Sequence, residues 1–445
     1  MMSHPRRRRS VALVFSTVAI GSLALAACSS DANDDPSTDD TSTVAGGEAI
    51  SLTYIHRLPD GEGMVRASDL ADQWNAENPN IQVDAVKFDG QAPELATKLE
   101  TDVNAGVAPC LAQLDYSEIP AAYVHGLTED VTEDAEQYRD NFSGAFSLMT
   151  VGGVTVGLPQ DTGPLVYFYN KTEFDRLGLE VPTTLDEFTT TAAKAADEGK
   201  YIAAFEPDEA KFWMSGQAAA AGAQWYTSSD AGWVVNADSA ASAVVADFWQ
   251  TLLDAKSVPV IERWSDGFGA ALNDQSLIGT IGAAWETPLL ADAMAGTAND
   301  GQWAVAQLPG YGVDGMTGPD GGSGIAVLAG CDHPKEALAF ANWFNTQIDA
   351  LVSQGLVVAA IGDMSTPDAI AEFYGGQDVS AELAAANAAL SPDFGYMPGF
   401  ATVGDAMTRA AAAAGSGSGT VADVYKAAQD QSVSTLEELG LPVDN

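Results

Sequence analysis

The sequence predicts an α/β protein. Three observations carry that expectation. Strand-like and helix-like runs alternate through the first hundred residues of the folded body, the alternation returns further along, and 46% of the 445 residues are hydrophobic, enough to fill a large core. The length is two or three domains' worth of material.

The body opens with "AISLTYI", an apolar strand-like run. "MVRASDLADQWNAENP" follows with helical spacing at Val65, Leu70 and Trp74 and stops at Pro79. "IQVDAVKF" alternates as a strand, "PELATKLETDVNAG" reads as a helix closed by Gly106, and "CLAQLDY" is a strand again. The pattern resumes with a strand in "GVTVGLP", helices in "TLDEFTTTAAKAADEG" and "AASAVVADFWQTLLDA", and a strand in "GIAVLAG". A helix over "HPKEALAFANWFNTQIDALVSQG" has Pro334 at its first position and Gly355 at its end. The tail "AMTRAAAAAGSGSGTVADVYKAAQDQ" reads as two helices joined by a Gly/Ser loop. Trp74, Trp249 and Trp343 fall on apolar helix faces and are assigned to packing.

Ahead of the body, Arg6 to Arg9 precede the apolar run "VALVFSTVAIGSLALAA". A basic start, an apolar stretch and small residues before a cut site make a secretory leader, residues 1–27. A membrane-spanning anchor is the alternative. The run carries Ser16, Thr17, Gly21 and Ser22 and is followed by acid rather than by a stop-transfer flank. Residues 28–48 continue as "CSSDANDDPSTDDTSTVAGGE", which holds almost nothing that packs. They are expected to form a disordered acidic tether with a span on the order of 25 Å.

The chain has 19 Lys and Arg, of which four lie in the leader, so 15 face 62 Asp and Glu after cleavage, a formal charge of −47. Such a surface repels nucleic acid and anionic lipid. Beyond the leader the histidines are His56, His125 and His333, in no metal-binding spacing. HExxH, CxxC, GxSxG and GxxxxGK[ST] patterns are absent, and "GSGSGT" follows an alanine-rich helix rather than a strand. No cofactor or metal is implied. An exported carbohydrate-active enzyme with two cleft carboxylates stays open as an alternative, as does a structural surface lipoprotein. Cys110 and Cys331 form an even pair in an exported chain, either a disulfide or two buried thiols.

Leu25-Ala26-Ala27-Cys28 resembles the bacterial lipobox, which implies cleavage before Cys28 and a lipid on its sulfur. Three further segments, "GLPQDTGPLVYFYNKTEFDRLGLEVPTTLDEFTTTAAKA", "IGTIGAAWETPLL" and "LPGYGVDGMTGPDGGSGIAVLAGCDHPKEALAFANWFNT", resemble in order and spacing the family 1 extracellular solute-binding proteins of bacterial ABC importers, above all the sugar-binding branch. Cys110 departs from the pattern, at a place where the family often has Asp. The resemblance implies two α/β lobes joined by crossing strands with a ligand cleft between them. Lobe one would take 49–157 and 322–360, and lobe two 158–321 and 361–445. It places Cys331 beside Cys110 and so favours the disulfide. It also implies a carbohydrate ligand, permease subunits as partners, and a lipid-anchored monomer on the outer face of the cell membrane.

Sugars need aromatic platforms and side chains that donate and accept, carboxylates included. Trp285, in the Gly-rich approach "GAAWETP", stands where this family often presents a cleft Trp, with Glu286 after it. Tyr116, His56 and Asp89 follow the first three strands, where α/β sheets reach a crevice. Asp161 sits beside Gly163 on the crossing strand, Trp225 and Trp264 lie in polar, turn-rich surroundings, and Tyr396, in "DFGYMPGF", is a further candidate. For each of these, packing or solvation competes with contact. Arg57 and Arg263 would suit an anionic ligand.

Overall fold

The computed structural model describes residues 49–444, save Glu62, Gly63, Gln91, Asp230 and Asp314. The leader, Cys28 and the tether fall outside these residues.

Strands β1 (Ile50–His56), β2 (Ile81–Lys87) and β3 (Leu111–Asp115) pair in parallel, with β1 central, Ile50 opposite Ile81 and Tyr54 opposite Leu111. The helices Ala67–Glu77 and Ala92–Ala105 connect them. The first buries Leu70 and Trp74, one turn apart, against the sheet, while Val65 falls before the helix and is exposed. A hairpin of β4 (Thr150–Val151) and β5 (Val154–Thr155) leads into β6 (Gly157–Asn170), 14 residues that are buried almost throughout.

β6 organises the molecule. β7 (Tyr226–Ser229) and β8 (Gly232–Val235) form a separate hairpin, and β9 (Gly279–Ala283) and β10 (Trp303–Gln307) both pair antiparallel with the second half of β6. β11 (Pro319–Val327) and β12 (Val357–Val358) pair antiparallel with its first half, and β11 also pairs with β3. One strand therefore belongs to two bodies: β2-β1-β3-β11 on one side, β9 and β10 on the other. β6 and β11 cross between them, which is the two-lobe α/β architecture. The crossing is close because Gly163 has no side chain: a Cβ there would lie 1.9 Å from the Asp320 carbonyl oxygen. The β6–β11 register shifts at the same place, between Pro319 and Gly322.

The second body is mostly helical. Thr184 and Ser239 cap the helices Leu185–Asp197 and Ala240–Asp254 by accepting from the Glu187 and Ser242 amides. The tail forms the expected pair, Phe400–Gly415 and Ala422–Glu438, packed on one another. The helix read as continuous over 333–355 is in fact two, Pro334–Asn345 and Ile348–Ser353. The chain leaves the helical conformation at Gln347, with φ −82° and ψ 67°, and the Thr346 hydroxyl, bonded at 3.0 Å to the Asn342 and Trp343 carbonyls, covers the last turn of the first helix. Cys110 and Cys331 are joined by a disulfide, with Cα atoms 4.7 Å apart, tying the start of β3 to the turn after β11.

Candidate functional site

Where β6 and β11 cross, a cavity of about 740 Å³ opens, lined from both bodies. Its floor is a chain of buried polar groups. Gln160 of β6 donates to the Tyr54 hydroxyl and to Asn345, each at 3.1 Å. Gln113 of β3 donates to Gln160 at 2.9 Å and to the Ser323 hydroxyl at 3.0 Å, and Ser323 donates to the Asp161 carboxylate. Asn345 closes the helix Pro334–Asn345, and the other members come from β1, β3, β6 and β11, so the floor is held mainly by the sheet. Burial pushes the Asp161 carboxyl up to about 7, against the opposing pull of the Ser323 hydrogen bond.

From the first body Arg57 donates to Asp115 at 2.7 Å, while its main-chain N–H bonds Gln113. Its Nε is buried with no hydrogen-bond partner among the described residues. From the second body come Glu209, Phe212 and Trp285. Trp285 is half-buried and donates its indole N–H to the Asp320 carbonyl at 2.8 Å. Gly163 and Gly321 leave room for the ring: a Cβ at either would sit 3.1 or 3.3 Å from the indole. One side of the indole is thereby held against the crossing strands.

Asp161, Trp285 and Tyr396 among the expected residues line this cavity. The others stand apart from it. His56 is buried beneath β1, its Nδ1 accepting from the Leu58 amide, and burial drives its pKa down to about 4, so the ring is neutral. Asp89 is exposed beside Lys87. Tyr116 is turned under the floor, where its hydroxyl donates to the Asp161 carbonyl at 2.8 Å, and it faces a second, polar cavity of about 100 Å³. Trp225 lies wholly within the core, donating to Ser242 at 3.0 Å and packed on Phe394 and Tyr425. Trp264 is partly exposed against Phe268. Glu286 is buried in an ion pair with Arg263, which also donates to Glu206 at 2.9 Å and to Thr280 at 2.6 Å. Arg263 therefore already has two carboxylate partners. Burial pushes Glu206 up to about 7, although the guanidinium opposes it.

Gln113, Asp115, Glu209, Phe212, Asp320 and Ser323 also line the cavity. A signal for two of them lay in the strand "LAQLD". Side chains alternate along β3, so Gln113 and Asp115 share one face and Leu114 and Tyr116 the other. Leu114 and Tyr116 are almost fully buried, which is why Tyr116 misses the cavity that its neighbour lines. Asp320 was visible as an acid between Pro319 and two glycines on the second crossing strand.

The model of the bacterial extracellular solute-binding protein family matches residues 69–352. The chain belongs to that family. Among solved structures, the galacto-N-biose-/lacto-N-biose I-binding protein of the ABC transporter from Bifidobacterium longum, in complex with lacto-N-biose, is 51% identical. That match covers 90% of this chain and 100% of that one, with a TM-score of 0.82. The ABC transporter associated binding protein from B. animalis subsp. lactis, in complex with beta-1,6-galactobiose, shares the fold at 21% identity and a TM-score of 0.69, covering 89% of this chain and 100% of that one. An uncharacterized lipoprotein in the oleD 5′ region of Streptomyces antibioticus is 23% identical over 333 residues, 72% of this chain and 70% of that protein.

Proposed function

We propose that this solute-binding protein is the sugar receptor of an ABC importer, and that its ligand is a disaccharide of the galacto-N-biose and lacto-N-biose type. The observation that carries the reading is the cavity at the crossing of β6 and β11, with Trp285 seated at its edge and Asp161, Asp115 and Asp320 around it. A half-exposed indole offers a face to the apolar side of a pyranose, while carboxylates and Arg57 take its hydroxyls. The 51% identical relative binds that sugar class by its own description.

In this reading the lobes are 49–157 with 322–360, and 158–321 with 361–445. The ligand bridges them and so favours the closed state by its differential affinity. The closed form is what the permease engages. Binding proceeds without turnover, the protein is a monomer, and Cys28 carries a lipid that holds it at the outer face of the membrane.

Calorimetry with galacto-N-biose, lacto-N-biose and β-1,6-galactobiose tests the ligand. Saturable binding of one of the first two, with the sugar recovered intact, is the expected result. No heat with any of the three, or cleavage of the sugar, overturns the reading.

A further inference from the structure

Asp320 occupies an unusual position for an acid. It lies on β11 at the crossing, only 4% exposed, and it lines the cavity. Its carbonyl is taken by Trp285, but among the described residues its carboxyl makes no hydrogen bond and no ion pair. The groups that face it do not compensate it. Glu209 and Tyr396 line the same cavity, the negative charges of Glu209 and Glu206 both act against ionisation of Asp320, and the buried Tyr396 hydroxyl has no hydrogen-bond partner among the described residues. Arg263 is the nearby cation, and it is already bonded to Glu206, Thr280 and Glu286.

Arg57, which lines the same cavity, is bonded to Asp115. A buried carboxyl with no hydrogen bond or ion pair of its own and a second acid on the same cavity does not ionise at its ordinary pH. Burial first, and Glu209 after it, accordingly hold the Asp320 carboxyl well above the usual carboxylate range. The chemical consequence is a change of role. A carboxylate only accepts hydrogen bonds, whereas a carboxylic acid also donates one. Sugar hydroxyls are readable by either, but a ring oxygen, a glycosidic oxygen or an acyl carbonyl only accepts.

We propose that Asp320 meets the ligand as a neutral acid and donates its O–H to an acceptor-only oxygen of the sugar, making it a specificity-determining residue of the cleft. The inference rests on the sugar-binding reading above. The donor is lost on ionisation, so the contribution of Asp320 to affinity falls by about tenfold per pH unit once the pH passes the point of ionisation. An amide at the same place keeps a donor at every pH.

The test is calorimetry with galacto-N-biose on wild type, D320N and D320A from acid to mildly alkaline pH, with each free protein melted alongside. D320N is expected to bind within about threefold of wild type at the acid end and D320A at least about tenfold more weakly. The ratio of wild-type to D320N affinity should hold level while Asp320 keeps its proton and fall where it ionises, a comparison in which the titration of Asp161 cancels because both proteins keep it. D320N weakened as much as D320A while still folded, or a ratio that rises with pH, overturns the assignment of Asp320 and leaves the sugar reading standing. A wild type that binds neither this sugar nor its relatives at any pH overturns both.

Discussion

The indole nitrogen of Trp285 lies 2.8 Å from the backbone carbonyl oxygen of Asp320, so a side chain of the second body is anchored to the strand that crosses from the first. An aromatic ring held in this way needs no ordering when a sugar arrives, which removes an entropic cost of binding.

Trp285→Ala should weaken ligand binding by about thirtyfold, the effect of losing roughly 2 kcal/mol at an aromatic anchor. The melting temperature of the free protein should hardly move, because the ring is half-exposed and the β6–β11 pairing does not depend on it. Calorimetry and a thermal melt of the variant read the two quantities separately. Unchanged affinity removes Trp285 from the site; a large fall in free stability makes it a packing residue instead.

Arg263 presents the reverse case. It is buried between Glu206 and Glu286, and removing it leaves two acids without their cation. Arg263→Met should cost on the order of 3–5 kcal/mol in a denaturant titration. Converting Glu206 and Glu286 to Gln in the same chain should recover most of that loss, because no charge then remains to be compensated. A loss that persists in the triple variant would point to packing of the arginine stem against Phe268 and Trp264 as its cause.

Burial of Asp161 at the crossing makes stability depend on pH. Its folded pKa, raised to about 7, exceeds its ordinary value, so the native state holds the proton more tightly than the unfolded chain. Its contribution is complete at acid pH and declines as the pH rises towards 7, by at most ~1.4 kcal/mol per unit. Asp161→Asn stays neutral throughout. The stability of the variant relative to wild type should therefore increase between pH 4 and pH 7. A difference that is constant over that range means that Asp161 is ionised in the fold throughout.

The sequence carried the β/α alternation of the first body because its strands are apolar or alternate residue by residue and its helices are amphipathic. It carried the paired tail helices because the Gly/Ser loop interrupts an otherwise helical run. The break at Gln347 was hidden, since neither glycine nor proline marks it. The lining of the candidate cavity was legible where a residue sits on a crossing strand or beside a glycine, as for Asp161 and Trp285. It was illegible where facing depends on strand parity: Asp115 and Tyr116 are neighbours in sequence, and the pleat sends one to the cavity and the other beneath it. Trp225 shows the same limit. Polar neighbours suggested exposure, yet its indole N–H is satisfied by Ser242 deep inside the core.

The Cys110–Cys331 bridge offers a separate measurement. The two residues are 221 apart in sequence, so closing that loop restricts the unfolded chain more than the folded one. Within the fold the bridge joins the beginning of β3 to the end of β11, at the opposite end of those strands from Asp115 and Ser323. Stability and binding should therefore separate. Thiol titration of the unreduced, unfolded protein should find neither cysteine free. Cys110→Ala/Cys331→Ala should lower stability by roughly 2–5 kcal/mol in a denaturant titration. The double variant should keep wild-type affinity for galacto-N-biose at temperatures where it remains folded, because neither cysteine lines the cavity. Two titratable thiols would remove the bridge from the native molecule. A folded variant with weakened binding would mean that the β3–β11 pairing transmits strain from the bridge to the floor of the cleft.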